Sequence, residues 1–175
     1  MILISNHVKD KIIFSNSTVV RINIAWMKDY DDLINNIIKN SIYDIFLDFP
    51  EKRRKPPLPI LTFDEIIPIF NKYKNIKYFA ISNSEDIKHM EEIRDLVPSH
   101  VKIVPKIETE KGIRNLLNIV RGAQTNIIML DKEDVYMSVN ADGKKFNKLL
   151  DILRSEAVRN NIEVLELQGV IFYSM

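Results

Sequence analysis

The sequence predicts an α/β fold built on a parallel sheet, and three observations support this prediction. Short apolar runs rich in Ile, Val, Phe and Tyr have the composition of strands. Longer runs repeat their apolar residues at three- and four-residue spacing, as amphipathic helices do. From residue 18 onward the two kinds of run alternate, which is typical of successive βαβ units. A (β/α) barrel and a doubly wound sheet both fit this alternation.

The individual elements follow from these patterns. Strands are predicted at residues 1–5, 11–15, 18–24, 43–49, 77–82, 101–107, 126–130 and 162–167. Helices are predicted at residues 30–40, 62–73, 84–97, 110–122 and 144–161. Thr62 and Ser84 are residue types that begin helices as N-caps, and Gly122 is predicted to follow a helix as its C-terminal glycine. We therefore expect α and β elements to share the chain from residue 18 to its end.

Two segments depart from the alternation. The first two predicted strands are separated only by NHVKD, so residues 1–17 are expected to form an N-terminal hairpin. The segment EKRRKPPLP, residues 51–59, is basic and proline-rich, and we expect an irregular loop there because proline removes backbone donors. The whole chain, residues 1–175, is interpreted as a single domain of this kind.

Composition excludes several classes of function. The net charge is +1, which gives no general attraction to nucleic acid or to an anionic membrane. No apolar run approaches the roughly 18 residues of a membrane span, and the N-terminus lacks the features of a signal peptide. The chain has no cysteine, which fits a cytoplasmic location. It has only 4 glycines and neither a dinucleotide-binding nor a Walker motif, which argues against nucleotide-binding doubly wound folds.

Polar residues stand at the carboxyl ends of several consecutive predicted strands. They are Arg21, Asn23, Asp48, Ser82, Lys106 and Glu108, with Asp134 in the loop after the next strand. Residues two apart in a strand share a face, so Lys106 and Glu108 are expected on one face. Barrel enzymes build their sites at this end of the strands. Carboxylates beside basic residues would suit a divalent metal and a small anion.

These residues resemble the catalytic barrel of pyruvate kinase, within the phosphoenolpyruvate/pyruvate barrel superfamily. The resemblance runs from about residue 18 to the end and is carried by TVVRINIAWMKD, YDIFLDFPEKRRK, YFAISNSEDIKHMEEI, VKIVPKIETEKGIRNLLNIV and NIIMLDKEDVYMSV. The KIE segment followed by Gly112 is its most specific part. The IET version of that segment also resembles the citrate lyase β-subunit and HpcH-type aldolases. The fold that the resemblance implies is a TIM-type (β/α) barrel, truncated or incomplete.

The resemblance implies a metal site and a catalytic lysine. Lys106 falls on the lysine that stabilises the transferring phosphoryl group and the enolate. Glu108 and Asp134 fall on the two ligands of Mg²⁺ or Mn²⁺, and Asp131 competes with Asp134 for the second position. Arg21 falls on a phosphate-contacting arginine, which makes it a second candidate catalytic and substrate-binding residue.

The resemblance also implies roles at neighbouring strands. Ser82 falls on a serine that lines the substrate site, and Asn23 and Asp48 fall on ligands of a monovalent cation, K⁺. The pattern departs from the family at Ala25 and Phe49, where a serine and a threonine of the potassium site are replaced. Glu133 stands in place of the glycine before the metal aspartate.

The departures shape the expected function. The lid domain, the eighth βα unit and the C-terminal domain of the family have no counterpart, and 175 residues is well below the roughly 250 of a closed barrel. We expect Mg²⁺-dependent enolate chemistry on pyruvate, phosphoenolpyruvate or a related 2-oxo acid, of lyase or aldolase type more than phosphotransfer. The alternative is a catalytically degenerate ligand-binding, regulatory or assembly subunit. An incomplete barrel also predicts a homodimer, or a partner subunit that covers its edges.

Overall fold

The computed structural model describes residues 2–5, 18–52 and 56–166, which contain seven strands in one parallel sheet. The strands lie side by side in chain order, from β1 at one edge to β7 at the other. Their bounds are β1 Ile2–Ser5, β2 Thr18–Asn23, β3 Asp44–Phe49, β4 Ile76–Ile81, β5 Lys102–Ile107, β6 Ile127–Leu130 and β7 Glu163–Glu166.

Helices connect successive strands from β2 onward. In the described residues they are α1 Tyr30–Lys39, α2 Phe63–Lys72, α3 Ile87–Leu96, α4 Glu110–Arg114, α5 Leu116–Gly122, α6 Lys132–Ser138 and α7 Gly143–Arg159, with a single 3₁₀ turn at Ile24–Trp26. Right-handed crossovers that never reverse direction place the helices on the same side of the sheet. A doubly wound sheet would reverse its strand order. The barrel-type arrangement is therefore confirmed, as a curled, open sheet.

The two faces of the sheet have different apolar clusters. The face toward the helices carries the larger core, which includes Ile22, Leu47, Ile81 and Ile107. The opposite, inner face carries a smaller cluster made of Val19, Phe46, Ala80, Val104, Ile127 and Met129. Because side chains alternate along a strand, residues two positions further toward the carboxyl ends continue the inner face. That alternation puts Arg21, Asp48, Ser82 and Lys106 directly above the inner apolar cluster.

One of the two predicted N-caps is confirmed. The backbone N–H and the hydroxyl of Thr62 both donate to Glu65 Oε2, at 2.7 and 2.8 Å, at the start of α2. The prediction for Ser84 is wrong: α3 begins at Ile87, and its N-cap is Asp86, which accepts from the backbone N–H of His89 at 3.0 Å. Ser84 is buried instead, and its hydroxyl donates to the carbonyl of Ile81.

The predicted helix over residues 110–122 is divided into α4 and α5, with Asn115 between them. Gly122 is the last residue of α5 and does not follow the helix, which corrects its predicted role. A Cβ at Gly122 would lie 2.7 Å from the carbonyl oxygen of Ile87, so this glycine allows α5 to approach α3 closely. Helix α6 was not predicted, because the segment after the strand at 126–130 was interpreted as a loop.

The predicted N-terminal hairpin is described only in its first strand. The first predicted strand is present as β1 and pairs in parallel with β2, with Ile2 opposite Thr18. The second strand of the hairpin, residues 11–15, lies outside the described residues. In the loop at 51–59 the described positions, which leave out residues 53–55, are irregular, as predicted. The described helices include none with an apolar stretch of the length that a bilayer requires.

Candidate active site

The predicted polar residues converge at the carboxyl ends of four neighbouring strands. Arg21 and Asp48 lie on β2 and β3, Ser82 follows β4, and Lys106 and Glu108 lie at and just after the end of β5. Lys106 and Glu108 are 6% and 7% exposed, and Asp48 is fully buried. Buried charges require partners, and each of these side chains has one among the others. The structure therefore forms one ion cluster from residues spread over 88 positions of sequence, from 21 to 108.

Asp48 is the centre of this cluster. Its Oδ2 accepts from Arg21 Nε at 2.9 Å and also forms an ion pair with Arg21 Nη2. Its Oδ1 lies 3.4 Å from Lys106 Nζ, close enough for an ion pair but without the alignment of a hydrogen bond. Burial by itself would raise the pKa of Asp48, but the charges of Lys106 and Arg21 outweigh burial and hold the pKa below its ordinary value. Asp48 is thus an anion that fixes both cations.

Lys106 is held by one hydrogen bond and two ion pairs. Its ammonium donates to Ser82 Oγ at 2.9 Å and lies 3.0 Å from Glu108 Oε1, in addition to Asp48. Burial would lower the pKa of Lys106, but the neighbouring charges of Asp48 and Glu108 outweigh burial and raise it. The ammonium therefore stays protonated. It can stabilise negative charge, whereas a neutral amine would be needed for nucleophilic attack.

Glu108 is oriented from both sides and faces two further carboxylates. Its Oε1 meets Lys106, and its Oε2 accepts from the backbone N–H of Asn83 at 2.7 Å. Carboxylate oxygens of Glu108, Asp131 and Asp134 all lie within 4.8 Å of one another. Asp131 is the N-cap of α6 and accepts from the backbone N–H of Asp134 at 3.1 Å. The structure thus brings both sequence candidates for the second ligand, Asp131 and Asp134, to Glu108.

The charge and chemistry of this group fit a divalent cation. Two cations face four carboxylates across the site, which leaves a formal net charge of −2. Hard carboxylate oxygens are the ligands that Mg²⁺ and Mn²⁺ prefer. The residues that would hold the ion are Glu108, Asp131 and Asp134. The fixed orientation of the Glu108 carboxylate distinguishes this group from an ordinary acidic surface.

The predicted potassium ligands are both engaged by other groups of the protein. Asn23 is the partner of Asp48 in the strand register, but its Oδ1 accepts from the backbone N–H of Ala25 at 3.0 Å and caps the 3₁₀ turn. Asp48 already faces the two cations Arg21 and Lys106, which would repel a third. The potassium site therefore has no support from these contacts.

Sequence reasoning missed three residues beside the cluster. Asn83 donates through its backbone to Glu108 and through Nδ2 to the carbonyl of Glu51 at 2.8 Å. Glu51 Oε2 lies 2.6 Å from Nε2 of His89, on α3, and this hydrogen bond is the main reason that the pKa of His89 is raised, against the effect of burial. No local spacing could have indicated the pair, because 38 positions separate its members.

Comparison with known proteins supports the fold. No protein-family model matches the chain, and no curated protein matches its sequence. Among solved structures, citrate synthase SbnG matches 87% of this chain with a TM-score of 0.67 and 11% identity, over 69% of its own length. Macrophomate synthase matches 83% of the chain with a TM-score of 0.60 and 14% identity. The chain spans 62% of the length of macrophomate synthase.

A third structure, the citrate lyase beta subunit from M. tuberculosis complexed with oxaloacetate and magnesium, covers 92% of this chain and 59% of its own, at 14% identity. Its TM-score of 0.46 is too low to carry an argument. Pyruvate kinase is not among these three structures. At such identities the likeness establishes the fold alone. The resemblance to pyruvate kinase stays a prediction.

Proposed function

We propose that this chain carries out enolate chemistry on pyruvate, phosphoenolpyruvate or a related 2-oxo acid, with Mg²⁺ or Mn²⁺ as the metal. The observation that carries the proposal is the buried, protonated Lys106 beside the Glu108–Asp131–Asp134 group. Negative charge develops on oxygen as an enolate forms, and a fixed ammonium beside carboxylates that can bind a metal would stabilise that charge. The inner, carboxyl-end position agrees with where barrel-type sheets place their sites.

Each residue has a distinct part in this chemistry. Glu108, Asp131 and Asp134 would hold the metal, which when bound supplies Lewis-acid stabilisation of the enolate oxygen. Lys106 supplies a fixed ammonium to the same developing charge, and Arg21 supplies a guanidinium suited to a carboxylate. Asp48 keeps both cations in place, and Ser82 fixes the ammonium from the other side. Asp48 and Ser82 would thus keep the cations close to the place where negative charge develops on the substrate oxygen.

Carbon–carbon cleavage or condensation fits these groups better than phosphotransfer. Both cations are engaged with Asp48, and Glu133, where the kinase pattern has a glycine, lies in the first turn of α6. Cleavage of the bond between the two carbons that follow the keto carbon leaves its electron pair on the nearer carbon. The keto group takes up that pair as an enolate, and the metal with Lys106 would stabilise the enolate oxygen. The proposal therefore favours a lyase or aldolase reaction over pyruvate kinase activity.

A ligand-binding protein without chemistry is the second candidate, and one observation favours it. Lys106 Nζ already donates to Ser82 Oγ and forms ion pairs with Glu108 and Asp48. An ammonium that is satisfied within the protein must exchange one of these partners before it can contact a substrate. A degenerate site could keep its metal and anion affinity while that exchange no longer occurs.

Thermal unfolding with Mg²⁺ and oxalate, an enolate mimic, tests the site. At saturation near 100 times Kd, linkage predicts about 2.7 kcal/mol of stabilisation, or a rise in Tm of about 5–10 °C for a chain of this size. We expect the rise in the wild type and its loss in Glu108→Gln and Asp134→Asn. Glu133→Gln is the matched control, since it removes the same charge from the exposed residue next to Asp134. No rise in a folded wild type would contradict the metal site.

Proton exchange separates the two candidates. An enzyme of the proposed class should exchange the methyl protons of pyruvate for deuterium from solvent, because enolate formation removes one of them. NMR in D₂O with Mg²⁺ measures this directly. Metal-dependent stabilisation without exchange would identify the binding protein, and exchange that survives in Lys106→Met would contradict the role assigned to Lys106.

We also propose that a second copy of the chain, or a partner subunit, covers the edges of the open sheet. In the described residues β1 and β7 are the two ends of the strand order, and unpaired strand edges attract further pairing. Several large apolar side chains are exposed as well, among them Ile42, Ile60 and Val158. Light scattering after size-exclusion chromatography tests this proposal, and a monomer at micromolar concentration would contradict a homo-oligomer.

A further inference from the structure

The site contains a hydrogen bond to Glu108 that comes from outside the ion cluster. The donor is the backbone N–H of Asn83, in the loop between β4 and α3, and the acceptor is Glu108 Oε2 at 2.7 Å. A hydrogen bond to a carboxylate is charge-assisted and is about twice as strong as a neutral one. Together with Lys106 on Oε1, it fixes the plane in which the Glu108 carboxylate lies.

Asn83 makes this contact from an unusual backbone conformation. Its φ is 53°, in the left-handed region that most side chains avoid and that Asn tolerates better than most. Such a conformation costs free energy and persists only where the surroundings hold it.

Hydrogen bonds from Asn83 and from the next residue hold this loop in place. Its own Nδ2 donates to the carbonyl of Glu51 at 2.8 Å, after β3, and the Glu51 carboxylate is fixed by His89 at 2.6 Å. The next residue, Ser84, donates its backbone N–H to the carbonyl of Lys106 at 3.2 Å. The loop is therefore tied to β3, α3 and β5 at once, and the N–H of Asn83 has little freedom to turn away.

We propose that Asn83 is a positioning residue for metal binding: its left-handed backbone directs an N–H to Glu108 and presents the carboxylate to the ion. The inference rests on the proposed function, because it concerns the metal ligand of that site. Asn83 itself need not touch metal or substrate. Partners of this kind orient metal ligands, and losing one typically weakens metal affinity by roughly 10–100-fold.

The test uses Mn²⁺ as the probe, with free Mn²⁺ measured by electron paramagnetic resonance on the full chain. Asn83→Val disfavours the left-handed conformation because Val is β-branched, whereas Asn83→Gly accepts it and retains the N–H. We expect Asn83→Val to weaken Mn²⁺ binding roughly 10–100-fold and Asn83→Gly to stay within about threefold of wild type. Glycine rescue is the readout that separates positioning through the backbone from a role of the side chain.

Asn161→Val is the matched control. Asn161 also has a positive φ, 52°, but it lies before β7 at the opposite end of the sheet. Valine at this position would therefore impose the same kind of backbone strain away from the site. We expect its Mn²⁺ affinity to be unchanged. Wild-type affinity in Asn83→Val would overturn the inference alone, and so would equal losses in the Val and Gly variants. No Mn²⁺ binding in the wild type would overturn the proposed function together with the inference.

A second measurement does not depend on the fold of the Val variant. The amide proton of Asn83 should resonate downfield in the wild type, as an N–H bonded to a carboxylate does, and should move upfield in Glu108→Gln. The amide of Asn161 should not move. An Asn83 amide that is unaffected by Glu108→Gln would overturn the inference even if metal affinities could not be compared.

Discussion

Replacing Lys106 by methionine removes one charge from the centre of the ion cluster while it keeps an unbranched side chain of similar length. The substitution leaves Glu108 Oε1 without its ammonium and Asp48 Oδ1 without its nearest cation. Asp48 is fully buried, so it cannot turn to solvent for a replacement. Arg21 still pairs with the other oxygen of Asp48, and the remaining cluster becomes one unit more negative.

The expected loss follows from the two distances. At 3.0 and 3.4 Å, and with an effective dielectric constant of about 20, each ion pair is worth about 5 kcal/mol before desolvation. The cost of burying the ammonium, several kcal/mol, offsets roughly half of that sum, which agrees with the 3–5 kcal/mol typically lost when one member of a buried ion pair is removed. For a chain of this size, that loss lowers Tm by about 6–20 °C.

Urea denaturation and thermal scans of Lys106→Met against wild type measure this loss. Lys102→Met is the matched control, because Lys102 begins the same strand, is exposed, and its ammonium donates to Asn126 Oδ1 at 3.1 Å. The control should change the free energy of unfolding by less than about 0.5 kcal/mol. If Lys106→Met were as mild as Lys102→Met, the reasoning that Lys106 neutralises buried carboxylates would be refuted.

Two further predictions concern the scaffold around the site. Gly122→Ala should destabilise the protein by roughly 1–3 kcal/mol in urea denaturation, because the added Cβ would lie 2.7 Å from the carbonyl oxygen of Ile87. Gly143→Ala is the control: a Cβ there has nothing within 4 Å, so this substitution should be neutral or slightly stabilising. The raised pKa of His89 means that its pairing with Glu51 stabilises the fold fully below the ordinary pKa of 6.5 and that this contribution is lost as pH rises through the raised value. The stability difference between wild type and His89→Gln should therefore shrink as the pH rises above about 6.5, and a difference that grows with pH would contradict the assigned pairing.

The strands and their polar ends could be predicted because both depend on local sequence. Period-two alternation in the strand that ends at Ile107 places Lys106 and Glu108 on one face, and the structure has them there, 3.0 Å apart. Thr62 was predicted as a cap from its residue type, and the structure adds Glu65, three positions later, as its partner. The helix after Asp131 was missed because its few apolar residues do not form a clear helical pattern.

The sequence by itself determined the alternation of strands and helices from residue 18 onward, apart from α6, and most of the polar residues that meet at the carboxyl ends of the sheet. It did so because parallel crossovers bring consecutive strand ends to one edge. Only the tertiary structure decided the partners across that edge: Asp48 pairs with Arg21 and Lys106, and Asp131 joins Asp134 beside Glu108. The structure alone also showed the left-handed Asn83 and the Glu51–His89 pair. The physical reason is that the register, curl and loop paths of the sheet set distances between residues tens of positions apart, and no local spacing encodes them.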